Sequence, residues 1–361
     1  MTRFLDWNDR ETVQQAAVTL RDWQRGRQAL GVALVYGGVS AEDKLYLSKS
    51  PVEQLSVTAL AGALTEIGAD FKRLDPTEPT FIQELAGFDV ALSNLHGPWG
   101  EDGRLQGLLD YLRVPYCGSG VGASAVAADK VMCKRVMEAL GVPTPDWWAW
   151  AGGAVEHVGQ PVMVKPAFGG SSVGMSLIRD EADLLVALAH AQADSHSQVL
   201  VEEYVPGLPV TVGLLELPGA VLVFPPLSTE VRGAAEFYDA DTKLDAESQS
   251  AVNVRAADLT PEAQAGVISH AKTLWDGLGI RGSARVDYIV NDDGHVYALE
   301  VNTNPGMSKD SNFAVGAALC GFSHTDVVLA MLHQALDHPL YDAPLPAPVF
   351  SAAPAQREPA A

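Results

Sequence analysis

The stretch that decides the fold is residues 284–302, which read ARVDYIVNDDGHVYALEVN. Its two halves are rich in β-branched and aromatic residues, and the polar turn 291–294 separates them. This pattern predicts two antiparallel strands, 284–290 and 295–301, joined as a hairpin. Because side chains alternate along a strand, every second residue of each strand faces the same way.

Four polar side chains of the hairpin fall on shared faces. Arg285 lies with Asp287, Glu300 lies with Asn302, and the pairing of the strands brings them together. Carboxylate and amide oxygens suit magnesium, and a neighbouring arginine can stabilise negative charge that develops in a reaction. The alternative is a surface hairpin with cross-strand ion pairs. The apolar neighbours instead indicate a largely buried hairpin, in which unpaired carboxylates are costly unless they bind a ligand.

A glycine- and serine-rich loop follows another predicted strand. Lys165 ends that strand, and residues 165–174 read KPAFGGSSVG. A lysine charge and exposed backbone N–H groups suit phosphates, although the lysine precedes the glycines, so the loop is not a P-loop. A further strand ends in Glu202-Glu203-Tyr204-Val205, whose backbone and Glu202 carboxylate could accept an adenine edge.

A third glycine-rich segment lies nearer the N-terminus. Residues 96–107 read HGPWGEDGRLQG, and residues 116–120 read YCGSG. Four glycines directly after a predicted strand suggest a binding loop at the carboxyl edge of a parallel sheet. A lone histidine such as His96 is more often structural, so the pattern assigns it no chemistry.

Composition narrows the class of protein. The 361 residues are 47% hydrophobic with a net charge of −21, which excludes a general nucleic-acid role because phosphate backbones need a basic face. No apolar run reaches the roughly 20 residues of a membrane span, and the charged N-terminus lacks a signal-type apolar region. Cys117, Cys133 and Cys320 are too scattered for a disulfide framework or a zinc site. We therefore expect a cytoplasmic protein with no membrane or nucleic-acid partner.

Alternating strands and helices in the first third of the chain indicate a parallel α/β layer, followed by a smaller α+β module. Helices are predicted at residues 9–29, 52–67, 129–140, 181–192 and from 260 to 277 or 279. Strands are predicted at residues 31–36, 70–74, 90–95, 162–165, 175–178, 199–203, 284–290 and 295–301. Residues 222–249 show little periodicity and are predicted to form a long loop over a site.

Taken together, these segments resemble the D-alanine–D-alanine ligases of the ATP-grasp superfamily. The matching segments occur in the family's order and span about residues 31–335. They are residues 37–42, 96–107, 118–130, 165–166 with 170–175, 237–239 with Lys243, 285–287 and 300–307. The resemblance implies an α/β and α+β protein with an ATP-grasp fold and an N-terminal, Rossmann-like parallel-sheet domain.

The resemblance also implies how the chain is divided. The implied parts are an N-terminal helical extension (1–30), a substrate-binding α/β domain (31–125), a central ATP-grasp small domain (126–210), a C-terminal catalytic domain (211–341) and a flexible tail (342–361).

The family pattern assigns ligands to named positions. Residues implied to contact ATP are Lys130, Lys165, Glu202, Glu203, Val205 and Lys243. Residues implied to hold two magnesium ions, or manganese in their place, are Asp287, Glu300 and Asn302. Glu300 would bridge the two ions.

Five further positions are implied to handle the amino acids. Glu42 would bind the ammonium group of the first amino acid, and Ser171 would support that subsite. Arg285 and the backbone at Gly306 would stabilise the tetrahedral oxyanion. Ser311 would hold the carboxylate of the second amino acid.

The implied activity joins two amino acids at the expense of ATP. In such enzymes the first carboxylate attacks ATP to give an acyl phosphate, and the second amine displaces phosphate to form an amide. The reactive intermediate must be shielded from water. The family precedent further implies D-alanine as both substrates, a role in peptidoglycan synthesis and a homodimer.

Several residues depart from the family pattern near the substrates. Leu244 stands where a hydrogen-bonding tyrosine is usual, and leucine has no polar group to replace it. The other departures are Tyr46, Lys49, Phe168, Gly169 and Pro209. They leave open a dipeptide ligase with a changed first amino acid, for a specialised biosynthetic or resistance pathway. Two more alternatives are a non-catalytic ATP-binding regulator and an ATP-grasp carboxylase or kinase-like phosphotransferase.

Overall fold

The computed structural model describes residues 2–25, 28–49, 55–153, 155, 161–169, 174–195, 198–231 and 252–338. The strands are β1 (Phe4–Asp6), β2 (Gly31–Val35), β3 (Asp70–Leu74), β4 (Val90–Ser93), β5 (Trp147–Trp150), β6 (Val162–Pro166), β7 (Ser176–Ile178), β8 (Val199–Glu203), β9 (Leu208–Leu217), β10 (Ala220–Val223), β11 (Leu227–Val231), β12 (Val252–Ala256), β13 (Ser283–Val290) and β14 (Val296–Asn302). The helices are α1 (Arg10–Arg25), α2 (Ala41–Lys49), α3 (Ser56–Ile67), α4 (Phe81–Leu85), α5 (Arg104–Leu112), α6 (Val121–Ala128), α7 (Lys130–Ala139), α8 (Glu181–Ser195), α9 (Pro261–Leu278), α10 (Asn312–Leu319) and α11 (His324–Asp337).

The first sheet is parallel and has the strand order β3-β2-β4. All five residues of β2 are buried, as expected of a parallel strand that is covered on both faces. One face packs against α1, α3 and α11 through a core that includes Leu60 and Leu332. The other face packs against α4 and α5 through Leu85 and Leu109. This sheet confirms the predicted parallel α/β layer.

The second sheet is antiparallel and has the strand order β5-β8-β6-β7. It is covered on one face by α8, whose Leu184 and Leu188 pack against Val164 and Val201. The predicted strands 162–165 and 199–203 and the helix 181–192 are confirmed as β6, β8 and α8. The strand β5, with the sequence WWAW, was missed.

The third sheet is built around β9, a ten-residue strand that pairs with β10, β11 and β13. The predicted hairpin is confirmed as β13 and β14, with β13 beside β9. Helix α9 packs against this sheet through Val267, Ala271 and Leu274. Its ends confirm the helix predicted from 260 to 277 or 279, because the Thr260 side chain accepts from Ala263 N and Gly279 ends the helix at φ 68°.

The long loop predicted for residues 222–249 is wrong at its N-terminal end. Residues Leu227–Val231 form β11, which pairs with β12 over five positions. The alternation in LSTEV is short, and its partner lies beyond residue 251, so the pattern alone could not establish the pairing. Residues 232–251, which include Lys243 and Leu244, lie outside the described residues.

The N-terminal segment joins two of the sheets. β1 pairs in parallel with β10 at the edge of the third sheet, although the sequence predicted only a docked helix. Leu5, Val13 and Leu20 are buried in the core shared with the first sheet. Arg21 donates from Nε and Nη2 to the two carboxylate oxygens of Asp326, each at 2.7 Å. The segment therefore braces the third sheet against α11.

No single helix in the described part of the chain is long and apolar enough to cross a membrane; only α10 and α11 together, bent by 99°, meet the length and composition required.

Replacing Arg21 with Met is expected to lower the free energy of unfolding by about 1 kcal/mol, because a charge-assisted pair is lost and Arg21 is 47% exposed. Arg25→Met, which removes an exposed pair with Asp22, is expected to cost less than about 0.5 kcal/mol. Urea unfolding of both variants at pH 7 measures the difference. Equal losses in the two variants would contradict the bracing role.

The same pair has a defined pH dependence. Burial alone would raise the pKa of Asp326, but hydrogen bonds from Arg21 and Ser323 lower it below its ordinary value of 3.8. A carboxyl group whose pKa is lowered on folding stabilises the fold at pH values above its ordinary pKa. That stabilisation is lost as the pH falls through the lowered pKa. The stability difference between the wild-type protein and Arg21→Met should therefore narrow below about pH 4.

Candidate active site

The four polar hairpin residues lie on one face, as predicted. Arg285 pairs with Asn302 across the strands, and Asp287 pairs with Glu300. The register then shifts, because Tyr288 pairs with Ala298 and leaves Leu299 as an extra residue on β14. This β-bulge changes the alternation of β14, so that Ala298 can face the core while Glu300 faces the site.

Arg285 and Asp287 form the polar centre of the hairpin. Arg285 Nε and Nη2 donate to the Asp287 carboxylate, the latter at 2.8 Å, and Thr211 Oγ1 on β9 donates to the same group at 2.6 Å. Burial alone would lower the pKa of Arg285, but the Asp287 carboxylate raises it above its usual value. The guanidinium is therefore a permanent positive charge, and its side chain is still 22% exposed.

Glu300 and Asn302 stand beside this centre. Glu300 Oε2 lies 3.7 Å from Lys130 Nζ, and 35% of its side chain is exposed. Asn302 Oδ1 accepts from the Asn304 backbone N–H at 2.8 Å. Asn304 Nδ2 in turn donates to Leu95 O at 2.8 Å, which ties the end of the hairpin to the end of the first sheet.

Two predicted nucleotide lysines converge on the site from different elements. Lys130 begins α7, whose N-cap Asp129 accepts from Val131 N and Met132 N. Its Nζ donates to Gly169 O at the start of the glycine-serine loop. Lys165 ends β6, and its Nζ donates to Glu202 Oε1.

Glu202 lies deep between two ammonium groups. Its side chain is 2% exposed, and Lys134 Nζ lies 2.8 Å from its Oε2 while Lys165 binds its Oε1. Burial alone would raise the pKa of Glu202, but the two lysines lower it to about 2. Lys134 was not predicted, although it follows Lys130 by one helical turn on α7, a spacing that places both side chains on one face.

The first sheet contributes the segment 96–107 and the start of α2. Asp43 Oδ1 accepts from His96 N at 2.8 Å, and Ser40 Oγ donates to His96 O at 2.9 Å. Tyr46 places its ring 5.4 Å from the His96 ring, and its hydroxyl accepts from Ser56 N at 2.7 Å. Asp43, which the sequence did not single out, therefore fixes the loop to α2.

Of the remaining predicted site residues, some lie within the described residues and others do not. Ser311 is the N-cap of α10, where its Oγ accepts from Ala314 N at 3.2 Å. Apart from its two chain neighbours, no described residue lies within 4 Å of a Cβ built on Gly306. Glu203 and Val205, half-buried, follow Glu202 at the end of β8. Glu42 lies in α2, whereas Ser171 and Lys243 lie outside the described residues.

A separate crevice of about 310 Å³ lies between α5, α6 and the end of α11. Arg281 stacks 5.0 Å from the Tyr116 ring centroid and donates to Gly118 O at 3.1 Å. Burial raises the pKa of the neighbouring Asp110. Arg281, Tyr116 and Asp110 interact with one another, so the polar groups of the crevice join neighbouring helices and loops. The crevice is not part of the hairpin site.

The chemistry of the hairpin oxygens fits magnesium. Among the described residues, no three His, Cys, Asp or Glu side chains converge as a closed metal cage. The site instead offers two carboxylates and an amide on one face of β13 and β14. Such a set suits an ion that keeps several positions for water and phosphate oxygens.

Comparisons with known proteins agree with this geometry. Residues 49–119 match the family described as D-ala D-ala ligase N-terminus, and residues 136–333 match D-ala D-ala ligase C-terminus. The D-alanine–D-alanine ligase of Synechococcus sp. (strain JA-2-3B'a(2-13)) is 36% identical over 319 residues, covering 85% of this chain and 93% of that protein. The enzyme of Stutzerimonas stutzeri is 37% identical, covering 85% and 94%.

Solved structures give the same result. The D-alanine–D-alanine ligase from Bacillus anthracis complexed with ATP has a TM-score of 0.69 at 26% identity and covers 85% of this chain and 98% of its own. D-alanyl-alanine synthetase A from Vibrio cholerae has a TM-score of 0.74 at 22% identity, covers 86% and 100%, and agrees in fold. The fold and the hairpin site thus define an ATP-grasp ligase, an enzyme that forms a peptide bond with ATP. Within that class, the chain belongs to the D-alanine–D-alanine ligase family.

Proposed function

We propose that this protein condenses two D-alanine molecules into D-alanyl-D-alanine with cleavage of ATP to ADP and phosphate. The observation that carries the proposal is the shared face of the hairpin, where Arg285, Asp287, Glu300 and Asn302 lie together. A protein that only bound ATP would not require an arginine beside the presumed metal ligands. This arrangement favours catalysis over the non-catalytic regulator.

The nucleotide would lie between the second sheet and the hairpin. Lys130 and Lys165 supply positive charge for its phosphates, and residues 202–205 at the end of β8 offer an edge for its base. Lys243 is proposed to reach the γ-phosphate from the segment outside the described residues. The carboxylates and amide of Asp287, Glu300 and Asn302 would hold magnesium, which supplies charge neutralisation for the transferring phosphoryl group.

The proposed reaction has two steps. A carboxylate oxygen of the first D-alanine attacks the γ-phosphorus of ATP, the bond to ADP breaks, and an acyl phosphate forms. The amine of the second D-alanine then attacks the acyl carbon, phosphate leaves, and a proton is released. This order is chemically necessary because a carboxylate has no adequate leaving group until it is phosphorylated.

Five residues are proposed to bind and orient the amino acids. Glu42 and Ser171 are proposed to hold the first amino acid, and Ser311 the carboxylate of the second. Arg285 and the Gly306 backbone are proposed to stabilise the tetrahedral oxyanion. The space that the described residues leave open at Gly306 and the fixed charge of Arg285 support this assignment.

The contacts of Tyr46 bear on the choice of substrate. Its hydroxyl accepts a hydrogen bond from Ser56 N, and its ring packs against that of His96. The tyrosine at this position, unusual for the family, therefore helps to join α2 to α3. Because this role of Tyr46 is structural, the residue gives no reason to expect a first amino acid other than D-alanine. Leu244, the other notable departure, lies outside the described residues, so the changed-substrate alternative is decided by assay.

The test is a panel of D- and L-amino acids incubated with ATP and magnesium, with phosphate release measured and products identified by mass spectrometry. We expect D-alanyl-D-alanine as the dominant dipeptide. A mixed dipeptide formed in preference to it would support the changed-substrate alternative. Phosphorylation or carboxylation of a substrate without dipeptide formation would support the other ATP-grasp reactions.

Three further features are proposed on the family precedent. The enzyme is proposed to act in the cytoplasm, to supply the dipeptide for peptidoglycan synthesis, and to form a homodimer. Light scattering of the purified protein tests the dimer, with twice the mass of 38.2 kDa expected. We also propose the division of the chain at residues 30, 125, 210 and 341 that the family resemblance implies.

A further inference from the structure

Helix α7 carries two lysines on one face, and they differ in exposure. Lys130, at the start of the helix, has 10% of its side chain exposed, whereas Lys134, one turn later, has none. Lys130 faces the presumed phosphate region between Gly169 and Glu300. Lys134 points instead into the packed space between α7, β8 and β14. A fully buried lysine needs partners that offset its desolvation.

Three oxygen atoms surround the Lys134 ammonium group. Its Nζ lies 2.8 Å from Glu202 Oε2 and 3.2 Å from Ala298 O, and it donates to Thr144 Oγ1. Thr144 Oγ1 and Ala298 O accept its hydrogen bonds, and the Glu202 carboxylate forms an ion pair with it, so the ammonium group is engaged within the fold. Lys134 is therefore already occupied and is a poor candidate for direct contact with a phosphate.

Lys165, the second partner of Glu202, is in the opposite situation. Within the described residues, its Nζ donates only to Glu202 Oε1 and retains a 9% exposed side chain at the start of the glycine-serine loop. Among the described residues, two of its N–H protons therefore have no acceptor. The cluster of two lysines and one glutamate has a net charge of +1, which suits a polyanionic ligand.

We propose that Lys134 is a positioning residue for ATP: it holds the Glu202 carboxylate in place, so that Glu202 can face the exocyclic amine of adenine while Lys165 keeps N–H groups for phosphate. This inference rests on the proposed nucleotide site. Without Lys134, the Glu202 carboxylate would have Lys165 as its remaining ammonium partner. Lys165 would then be drawn into a buried ion pair of net charge zero.

Lys134 also sets the distance between the two ends of the nucleotide site. Its ammonium group joins Glu202 on β8 to the Ala298 carbonyl on β14. Ala298 is two residues before Glu300, one of the presumed magnesium ligands. A single buried cation therefore fixes the strand that faces the base relative to the strand that faces the metal.

The test is Lys134→Met, which keeps the length and apolar stem of the side chain and removes its charge. ATP affinity of the folded protein is measured by calorimetry, with GTP as a second ligand. We expect ATP affinity to fall about 10- to 100-fold, as for the loss of charged hydrogen bonds, and the preference for ATP over GTP to shrink. The kcat at saturating ATP is expected to change less than the KM for ATP.

Arg135→Met is the matched control, because Arg135 is exposed on the same helix and donates to Met132 Sδ rather than to the Glu202 cluster. Its ATP affinity should equal that of the wild-type protein. If Lys134→Met does not fold, the double variant Lys134→Met/Glu202→Gln replaces both charges of the buried pair and is expected to recover stability. Its ATP affinity should equal that of Glu202→Gln alone, because Lys134 is proposed to act through Glu202, and a further loss in the double variant would contradict that role.

The outcomes separate the two proposals. Wild-type affinity and base preference in a folded Lys134 variant would overturn the positioning role and leave the proposed function standing. A wild-type protein that does not bind ATP would overturn both. A lowered melting temperature with unchanged ATP affinity would show that Lys134 only stabilises the fold.

Discussion

Replacing Arg285 with Met is expected to lower kcat about 1,000-fold, equivalent to roughly 4 kcal/mol of transition-state stabilisation. The guanidinium is fixed by Asp287 and carries a permanent charge, so it costs little reorganisation when negative charge develops on the reacting carbonyl. The KM for ATP should change much less, because the effect belongs to the transition state. Steady-state phosphate release with D-alanine measures both constants.

Arg73→Met is the control for this variant, because Arg73 is an exposed arginine on β3, away from the hairpin. It should retain wild-type kcat. Thermal unfolding of Arg285→Met separates a catalytic loss from a loss of folded protein, since Asp287 keeps its hydrogen bond from Thr211. A folded Arg285→Met enzyme with wild-type kcat would falsify the oxyanion role.

Replacing Glu300 with Gln should have an effect of similar size on kcat/KM, about 1,000-fold. Glutamine keeps the shape of the side chain but removes the charge that would bridge two magnesium ions. The magnesium concentration for half-maximal activity should therefore rise. A magnesium titration of phosphate release, carried out at saturating ATP and D-alanine, gives that concentration directly.

Asp292→Asn is the control on the same hairpin, because Asp292 is exposed in the turn at the far end from the site. It should leave the magnesium requirement unchanged. If Glu300→Gln also left the magnesium requirement unchanged, Glu300 could not be a metal ligand.

The hairpin could be predicted from the sequence because its turn and alternation are local signals. The β-bulge at Leu299 could not, since a bulge is defined only by the register against β13. Strict alternation would have placed Glu300 and Ala298 on the same face. The prediction of the polar face held because it compared only Glu300 with Asn302, which both lie beyond the bulge.

The central strand β9 was missed for a different reason. Its sequence LPVTVGLLEL contains Pro209 and Gly213, both of which weaken a strand prediction. The structure explains Gly213, because a Cβ there would lie 2.4 Å from the Phe224 ring. The glycine allows close packing that only the tertiary structure reveals. Thr211, on the same strand, was missed with it.

Helix α7 shows both outcomes within one element. Its start near residue 129 was predicted from local sequence, and its Lys130 from the family resemblance. Lys134 had a usable signal in its one-turn spacing from Lys130, but its importance depends on Glu202 and Ala298. Those partners are distant in sequence, so no local pattern brings them together.

The pairing of β1 with β10 has a consequence for synthesis of the chain. Phe4–Asp6 is made roughly 200 residues before its partner positions Val221–Val223. At a translation rate of roughly 5–20 residues per second, the first strand waits about 10–40 s for its partner. Leu5 and Trp7 are buried in the folded protein, but that sheet cannot cover them until β10 has been synthesised. The edge of the sheet that carries the hairpin site is thus closed by a strand that is made long before the rest of that sheet.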